Sequence, residues 1–346
     1  MLFSMATIMA QEHTHGDHDS HTHGDNEPHK HNVYFDHTPE EVFKDDPGRF
    51  AKFKQRSMET RKLMDARKGQ KVFAKKMNNY IIPVVFHIYG SKYPNDLETG
   101  ESRDVTEERV IQALNDVNAN FKGFNDTIDP TFANVEGGMN VEFKLAQIDP
   151  DGNTTNGIIY HEVKEGFGLE TVNNDEIAKY AWDNYKYFNI HVQLVINSGS
   201  TVQSGIAWLP NELMSDLGIA RVVYNGRYLI YDPPASSLTH EFGHWMGLLH
   251  TFEEGCIADP AKGDQVADTP PTANTRPAAA NGGRNCNPGP FNNCLGRPIN
   301  YDNHMDYNPC ERMFTKGQVA RMEDFMENDP SRFPLWQDAN LIATGV

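Results

Sequence analysis

One eleven-residue run, HEFGHWMGLLH at positions 240–250, constrains this chain more than any other. It has the form H-E-x-x-H-x-x-G-x-x-H. Histidines four residues apart share one face of a helix, a turn above one another. His240 and His244 can therefore present two imidazoles to a single ion. Gly247 can take the left-handed conformation that ends a helix and turns the chain sharply. His250, three residues on, can then swing back as a third ligand. Three neutral imidazoles leave a fourth position open, the layout of a catalytic rather than a structural zinc. Glu241 lies beside the first ligand and is the candidate general base. Five fixed residues at this spacing arise by chance about once in several million windows, so a polar helix with three unrelated histidines is a weak alternative.

The 346 residues have room for one large domain or two small ones, and a 38% hydrophobic content suffices for a core. A net charge of -17 argues against nucleic acid and anionic membrane surfaces as partners. No apolar run reaches the length of a membrane span. Residues 1–10, MLFSMATIMA, resemble the apolar part of a signal peptide, without its basic start. All four cysteines, Cys256, Cys286, Cys294 and Cys310, lie in the last third and form no C-x-x-C pair. Two disulfides in a loop-rich segment of an exported protein follow, with the connectivity open.

Three zones divide the chain. Residues 1–10 read as a signal remnant. Residues 11–76 read as a pro-segment: eight of the fifteen histidines fall in 11–37, and a basic stretch runs from Lys52 to Lys76. The first part is low-complexity and apt to bind metal weakly; the second is a ready site for proteolytic nicking. Residues 77–346 read as the catalytic domain. There Tyr80–Ile88 is an apolar strand, and Val110, Leu114, Val117 and Phe121 form the stripe of a helix capped by Asp104 or Thr106. Further strands are expected over 139–148, 156–163, 189–196 and 222–230, and a helix over 174–187 with Ile177, Ala181 and Tyr185 on one face. Ser204–Leu209, ended by Pro210, suits a sheet edge. Ser236 or Ser237 caps the histidine-bearing helix, and Thr315 with Gln318 forms a capping box for the last one. The fold class is α+β: a twisted mixed sheet and active-site helix in the upper half, an irregular, disulfide-bonded lower half.

A second constellation, NHMDY at 303–307, lies downstream of the zinc motif. A methionine turn in that position marks the metzincin class of zinc peptidases. Met305 would form a soft apolar floor beneath the metal, and the Tyr307 hydroxyl could stabilise an oxyanion. Together with THEFGHWMGLLHTF at 239–252, GDQVADTPP at 263–271, the four cysteines, YIIPVVFHI and the SGIAWLP strand, the chain resembles the pappalysins over roughly residues 78–328. The resemblance implies zinc on His240, His244 and His250, Glu241 as base, Met305 as the turn residue and Tyr307 as transition-state helper. It also implies the pairs Cys256–Cys294 and Cys286–Cys310, and structural calcium near Asp264, Asp268 and the Thr269 carbonyl, whose hard oxygens suit that ion.

The chain departs from that pattern twice. Pappalysins that cut before Arg or Lys carry an acid shortly after the methionine turn; here the segment is shorter and Glu311 is the nearest acid. No cysteine precedes Cys256, so no upstream thiolate can silence the metal, and Asp36 and His37 are the candidate blocking residues. The expected function is a secreted, monomeric zinc metalloendopeptidase made as a zymogen, acting on proteins or peptides with a basic P1′ preference. The substrate would lie extended beside Gly205, Ile206 and Ala207, adding a strand to the sheet. The competing readings are a zinc scavenger built on the histidine tail and a non-catalytic secreted binding protein. A scavenger would lose nearly all its metal on deletion of 11–37; a binding protein would grip a partner without cleaving peptides.

Overall fold

The computed structural model describes residues 78–346 apart from 93–99, 101, 124–127, 164–173, 195, 199–200, 231–235, 258–262, 273–291 and 308–310; upstream, only residues 47, 48, 51 and 55 are described. The expected blocking residues Asp36 and His37, the leader, the rest of the pro-segment, Cys286 and Cys310 lie outside the described residues.

Strand β1, Tyr80–Tyr89, is apolar almost throughout and is buried on both faces, as a central parallel strand must be. It pairs in parallel with β3 (Val141–Leu145) and β4 (Ile158–Tyr160) on one side and with β5 (Phe188–Gln193) on the other. Strand β9, Arg221–Asn225, continues the parallel run beside β5. The edge strand β8, Gly205–Ala207, is antiparallel to β9. Two-residue strands β2 (Glu136–Gly137) and β10 (Phe314–Thr315) pair separately, as do β6 (Ile196–Ser198) and β7 (Thr201–Gln203).

Alternation sorts each strand's side chains onto two faces. On one face Val84, Phe86, Ile88, Phe188, Ile190, Val192, Val222 and Tyr224 meet helix α1, Glu107–Lys122, and the histidine-bearing helix. Helix α1 starts at Thr106, whose hydroxyl accepts from the Arg109 amide, and it buries the expected stripe. On the other face His87, Tyr89, His191 and Arg221 form a buried polar layer. His87 Nδ1 lies 3.0 Å from His161 Nε2, and its ring stacks on His191. Helix α2, Asn174–Tyr180, is on the same side through Ile177 and Tyr180, which pack on Tyr89.

Some elements differ from expectation. Helix α2 stops at Tyr180 rather than 187, because the Asn189 side chain captures both the amide and the carbonyl of Trp182 (2.8 Å each) and pulls the chain into a turn. Strand β9 ends at Asn225, whose side chain accepts from the Arg227 amide at the start of a 3-10 turn, Gly226–Ile230. A short helix α3, Glu212–Asp216, capped by Asn211, follows the edge strand.

Candidate active site

Helix α4, Ser236–Trp245, carries the motif. Both candidate capping serines fall inside it, and the Ser237 hydroxyl is 2.6 Å from the buried Tyr224 hydroxyl. Leu238, Phe242 and Trp245 anchor the helix in the core, with Trp245 stacked on Phe188 at 3.8 Å. Gly247 ends it at φ 99°, and the Leu248 amide returns to the Gly243 carbonyl, closing the turn. A Cβ at Gly247 would overlap the Phe325 ring, so both backbone and packing require glycine.

That turn brings the three histidines together. The Nε2 atom of His244 is 3.0 Å from Nε2 of both His240 and His250. All three are buried, and among the described residues they are the group of side chains able to hold a metal ion. Carbonyl partners on Nδ1 set the tautomers of His240 and His244, and a nearby carboxylate favours the same one at His250. His240 Nδ1 donates to the His304 carbonyl (2.6 Å) and His244 Nδ1 to the Leu248 carbonyl (2.8 Å). His250 Nδ1 faces the Glu253 carboxylate at 3.7 Å. With the protons on Nδ1, three Nε2 lone pairs point at one another, an arrangement a cation satisfies and hydrogen bonds do not. Ligands about 2.0–2.1 Å from one tetrahedral zinc stand roughly 3.3 Å apart, so the spacing fits that ion. Burial and the neighbouring His250 push His244 well below the ordinary imidazole pKa, which keeps it neutral.

Glu241 is fully buried and neither carboxylate oxygen has a hydrogen-bond partner among the described residues. Burial pushes its pKa well above the carboxylate range. Its side chain lies against Gly205 of the edge strand, where a Cβ would come within 2.7 Å of Cγ. Met305 is buried beneath α4, and a Cβ at Gly243 would meet its sulfur at 2.6 Å. The Tyr307 hydroxyl is 3.2 Å from His250 Nε2, and Phe252 stacks on the His250 ring. Glu311 is buried, unpartnered among the described residues, and close enough to Asp306 and Glu241 that burial and both charges push its pKa well up.

The Asp264 carboxylate accepts from the Val266 amide and the Thr269 hydroxyl. The Asp268 carboxylate accepts from the Thr315 hydroxyl and the Gly317 amide. The two carboxylates among the three expected calcium ligands are thus engaged in hydrogen bonds. Cys256 and Cys294 form a disulfide, as the resemblance implied. Sequence reasoning missed Asp306, which accepts from the Thr251 hydroxyl and joins the methionine turn to the segment after His250. It lies inside the quoted NHMDY motif, so adjacency was its one signal.

Residues 171–327, a little under half of the chain, match the family model described as "Pregnancy-associated plasma protein-A". An extracellular metalloprotease of Coccidioides posadasii is 43% identical over 86 residues, 24% of this chain and 28% of that protein. One from Neurospora crassa is 38% identical over 114 residues, 30% of this chain and 37% of that protein. The matched stretch thus spans about a third of these curated relatives. Mature mirolysin of Tannerella forsythia, solved with a cleaved peptide, superposes with a TM-score of 0.62 at 26% identity, over 78% of this chain and 99% of that one. A promirolysin variant shares the fold, with a TM-score of 0.64 at 24% identity, over 86% and 95%. A twisted mixed sheet, three converging imidazoles and these likenesses agree: over residues 171–327 the chain is similar to the pappalysin family, and its fold is that of mirolysin.

Proposed function

We propose that this chain is an exported zinc metalloendopeptidase that cleaves extended segments of proteins and peptides. The observation that carries it is the convergence of three Nε2 lone pairs beside a buried, unpartnered Glu241. Zinc held by His240, His244 and His250 would supply a Lewis acid that polarises the scissile carbonyl and lowers the pKa of water to about 7.

The chain's own residues do the rest. The substrate backbone pairs with the open edge of β8 at Gly205, Ile206 and Ala207, which aligns the scissile bond beside Glu241. Glu241 takes a proton from the attacking water and returns it to the leaving amine. Burial raises its pKa, which favours the carboxyl's holding the proton between the two transfers. The Tyr307 hydroxyl donates to the developing oxyanion, and Met305 packs beneath the site. Glu311, buried without a partner among the described residues, supports a basic P1′ preference: a guanidinium or ammonium would neutralise it.

Export agrees with the naming of the fungal relatives as extracellular, and no described helix is long and apolar enough to cross a membrane. Residues 11–76 act as the pro-segment, with Asp36 or His37 blocking the site until the basic linker is cut, and the enzyme works as a monomer. Calcium near Asp264, Asp268 and Thr269 would draw on the remaining lone pairs of the two carboxylates and on the Thr269 carbonyl. A calcium-dependent rise in Tm would support it.

Cleavage-site profiling on a peptide library, with a chelator control and Glu241→Ala, tests the proposal. Cleavage should need zinc, and Glu241→Ala should lose about 100- to 10,000-fold of it while still binding one zinc. A chelator-treated chain that cleaves as well as the untreated one would sink the reading.

A further inference from the structure

Two candidate ligands owe their orientation to loop carbonyls rather than to α4 itself. His240 is held by the His304 carbonyl and His244 by the Leu248 carbonyl. Both loops are gripped by one face of helix α5, Lys316–Asn328.

Gln318, fully buried, exchanges two hydrogen bonds with Asn303: its Nε2 donates to Asn303 Oδ1 (3.0 Å), and its Oε1 accepts from Asn303 Nδ2 (2.8 Å). The same Asn303 Oδ1 accepts from the Met305 amide (2.9 Å), so this amide pair pins the chain on either side of His304. Arg321, three residues along α5 and hence on the same face, donates Nε to the Gly247 carbonyl (2.7 Å), one residue before Leu248. Phe325, one turn further, packs on Gly247. The start of α5 is itself fixed. Thr315 and Gln318 form a capping box, and Asp268 accepts from the Thr315 hydroxyl and the Gly317 amide.

We infer that Gln318 and Arg321 are positioning residues for the metal. They hold the neighbouring residues, Asn303 and Gly247, of the two loops whose His304 and Leu248 carbonyls face Nδ1 of His240 and His244, leaving Nε2 free to ligate. This rests on reading the histidine trio as a zinc site. Residues that orient metal ligands from outside typically change affinity about 10- to 100-fold when altered.

The test is zinc affinity of the full chain by chelator competition, with the Tm of the metal-free chain measured alongside. Arg321→Met removes the bond to Gly247. Gln318→Glu keeps the acceptor but loses the donor to Asn303. Each should weaken zinc about 10- to 100-fold, and Arg321→Lys, which can still donate to the carbonyl, should restore most of it. If one variant fails to fold, the other decides alone. Val319→Ala, a buried α5 position touching neither loop by hydrogen bond, should lower Tm and leave zinc affinity unchanged. The inference fails if Arg321→Met and Gln318→Glu bind zinc like the wild type, or if Val319→Ala weakens zinc as much per degree of Tm lost. A wild-type chain that takes up no zinc sinks the site reading as well; normal wild-type uptake with unaltered variants sinks this inference alone.

Discussion

At residue 205 the lack of a side chain decides where the candidate base stands. Glu241 Cγ, Cδ and Oε1 would all lie within 2.9 Å of a Cβ there, so Gly205→Ala must push the carboxylate aside. Displacing a reacting group by about 1 Å costs on the order of 100-fold in rate. Gly205→Ala should therefore lower kcat by about that factor while zinc affinity, set by other residues, stays put. Equal loss of both would show that the site had collapsed instead. Glu311 makes the complementary case. Truncating one partner of a buried charged pair costs about 2–5 kcal/mol. Glu311→Gln should cut kcat/KM for peptides with Arg at P1′ by about 30-fold or more and leave those with Leu nearly unchanged. Unaltered discrimination would remove Glu311 from the specificity pocket.

Among the elements, the sheet's polar face sets the acid limit of stability. Burial, then the neighbouring His161, lowers the His87 pKa to about 3, and burial with nearby His87, Arg221 and His161 lowers His191 well below 6.5. Both rings are neutral when folded and charge freely near pH 6.5 when unfolded. Their contribution is present above that pH and is lost as pH falls toward the folded pKa, by about 1.4 kcal/mol per unit for each ring. Neither nitrogen of His191 has a hydrogen-bond partner among the described residues, so His191→Phe removes a titration and no such bond. The slope of unfolding free energy just below pH 6 should drop, by at most about 1.4 kcal/mol per unit. An unchanged slope would mean that His191 titrates alike in both states.

The same elements show what a sequence can and cannot reveal. The periodic stripe of α1, the apolar β1 and the Thr315–Gln318 box were legible because each is a local pattern. The overrun of α2 to 187 was not avoidable, since its stop is a side-chain contact from Asn189 on another element. Strands β2 and β10 are two residues each and carry no period. The convergence of His240, His244 and His250 was legible, because helical spacing alone places two of them on one face. Arg321 carried no signal, for its partner Gly247 is 74 residues away.

At the scale of the whole molecule, the irregular half is tied to the site by the Cys256–Cys294 bond, which closes a loop of 38 residues. Loop-closure entropy gives such a bond about 4 kcal/mol, an upper figure that native strain reduces. Replacing both cysteines with serine should lower unfolding free energy by up to about that amount in denaturant titrations. A loss under about 0.5 kcal/mol would show that other contacts already hold the segment in the unfolded chain.

Strand β8 is the lone antiparallel member of its sheet and ends it, leaving main-chain donors and acceptors on its outer side. Such an edge reads the peptide backbone, and a backbone can be read this way only where it is stretched out and unspoken for. Helices and sheets in a folded target have already committed those groups to themselves. On the proposed function, the choice of target would therefore be made first by its looseness and only afterwards by its side chains: tails, linkers and frayed loops would be cut, and a well-packed domain carrying the same short sequence would survive.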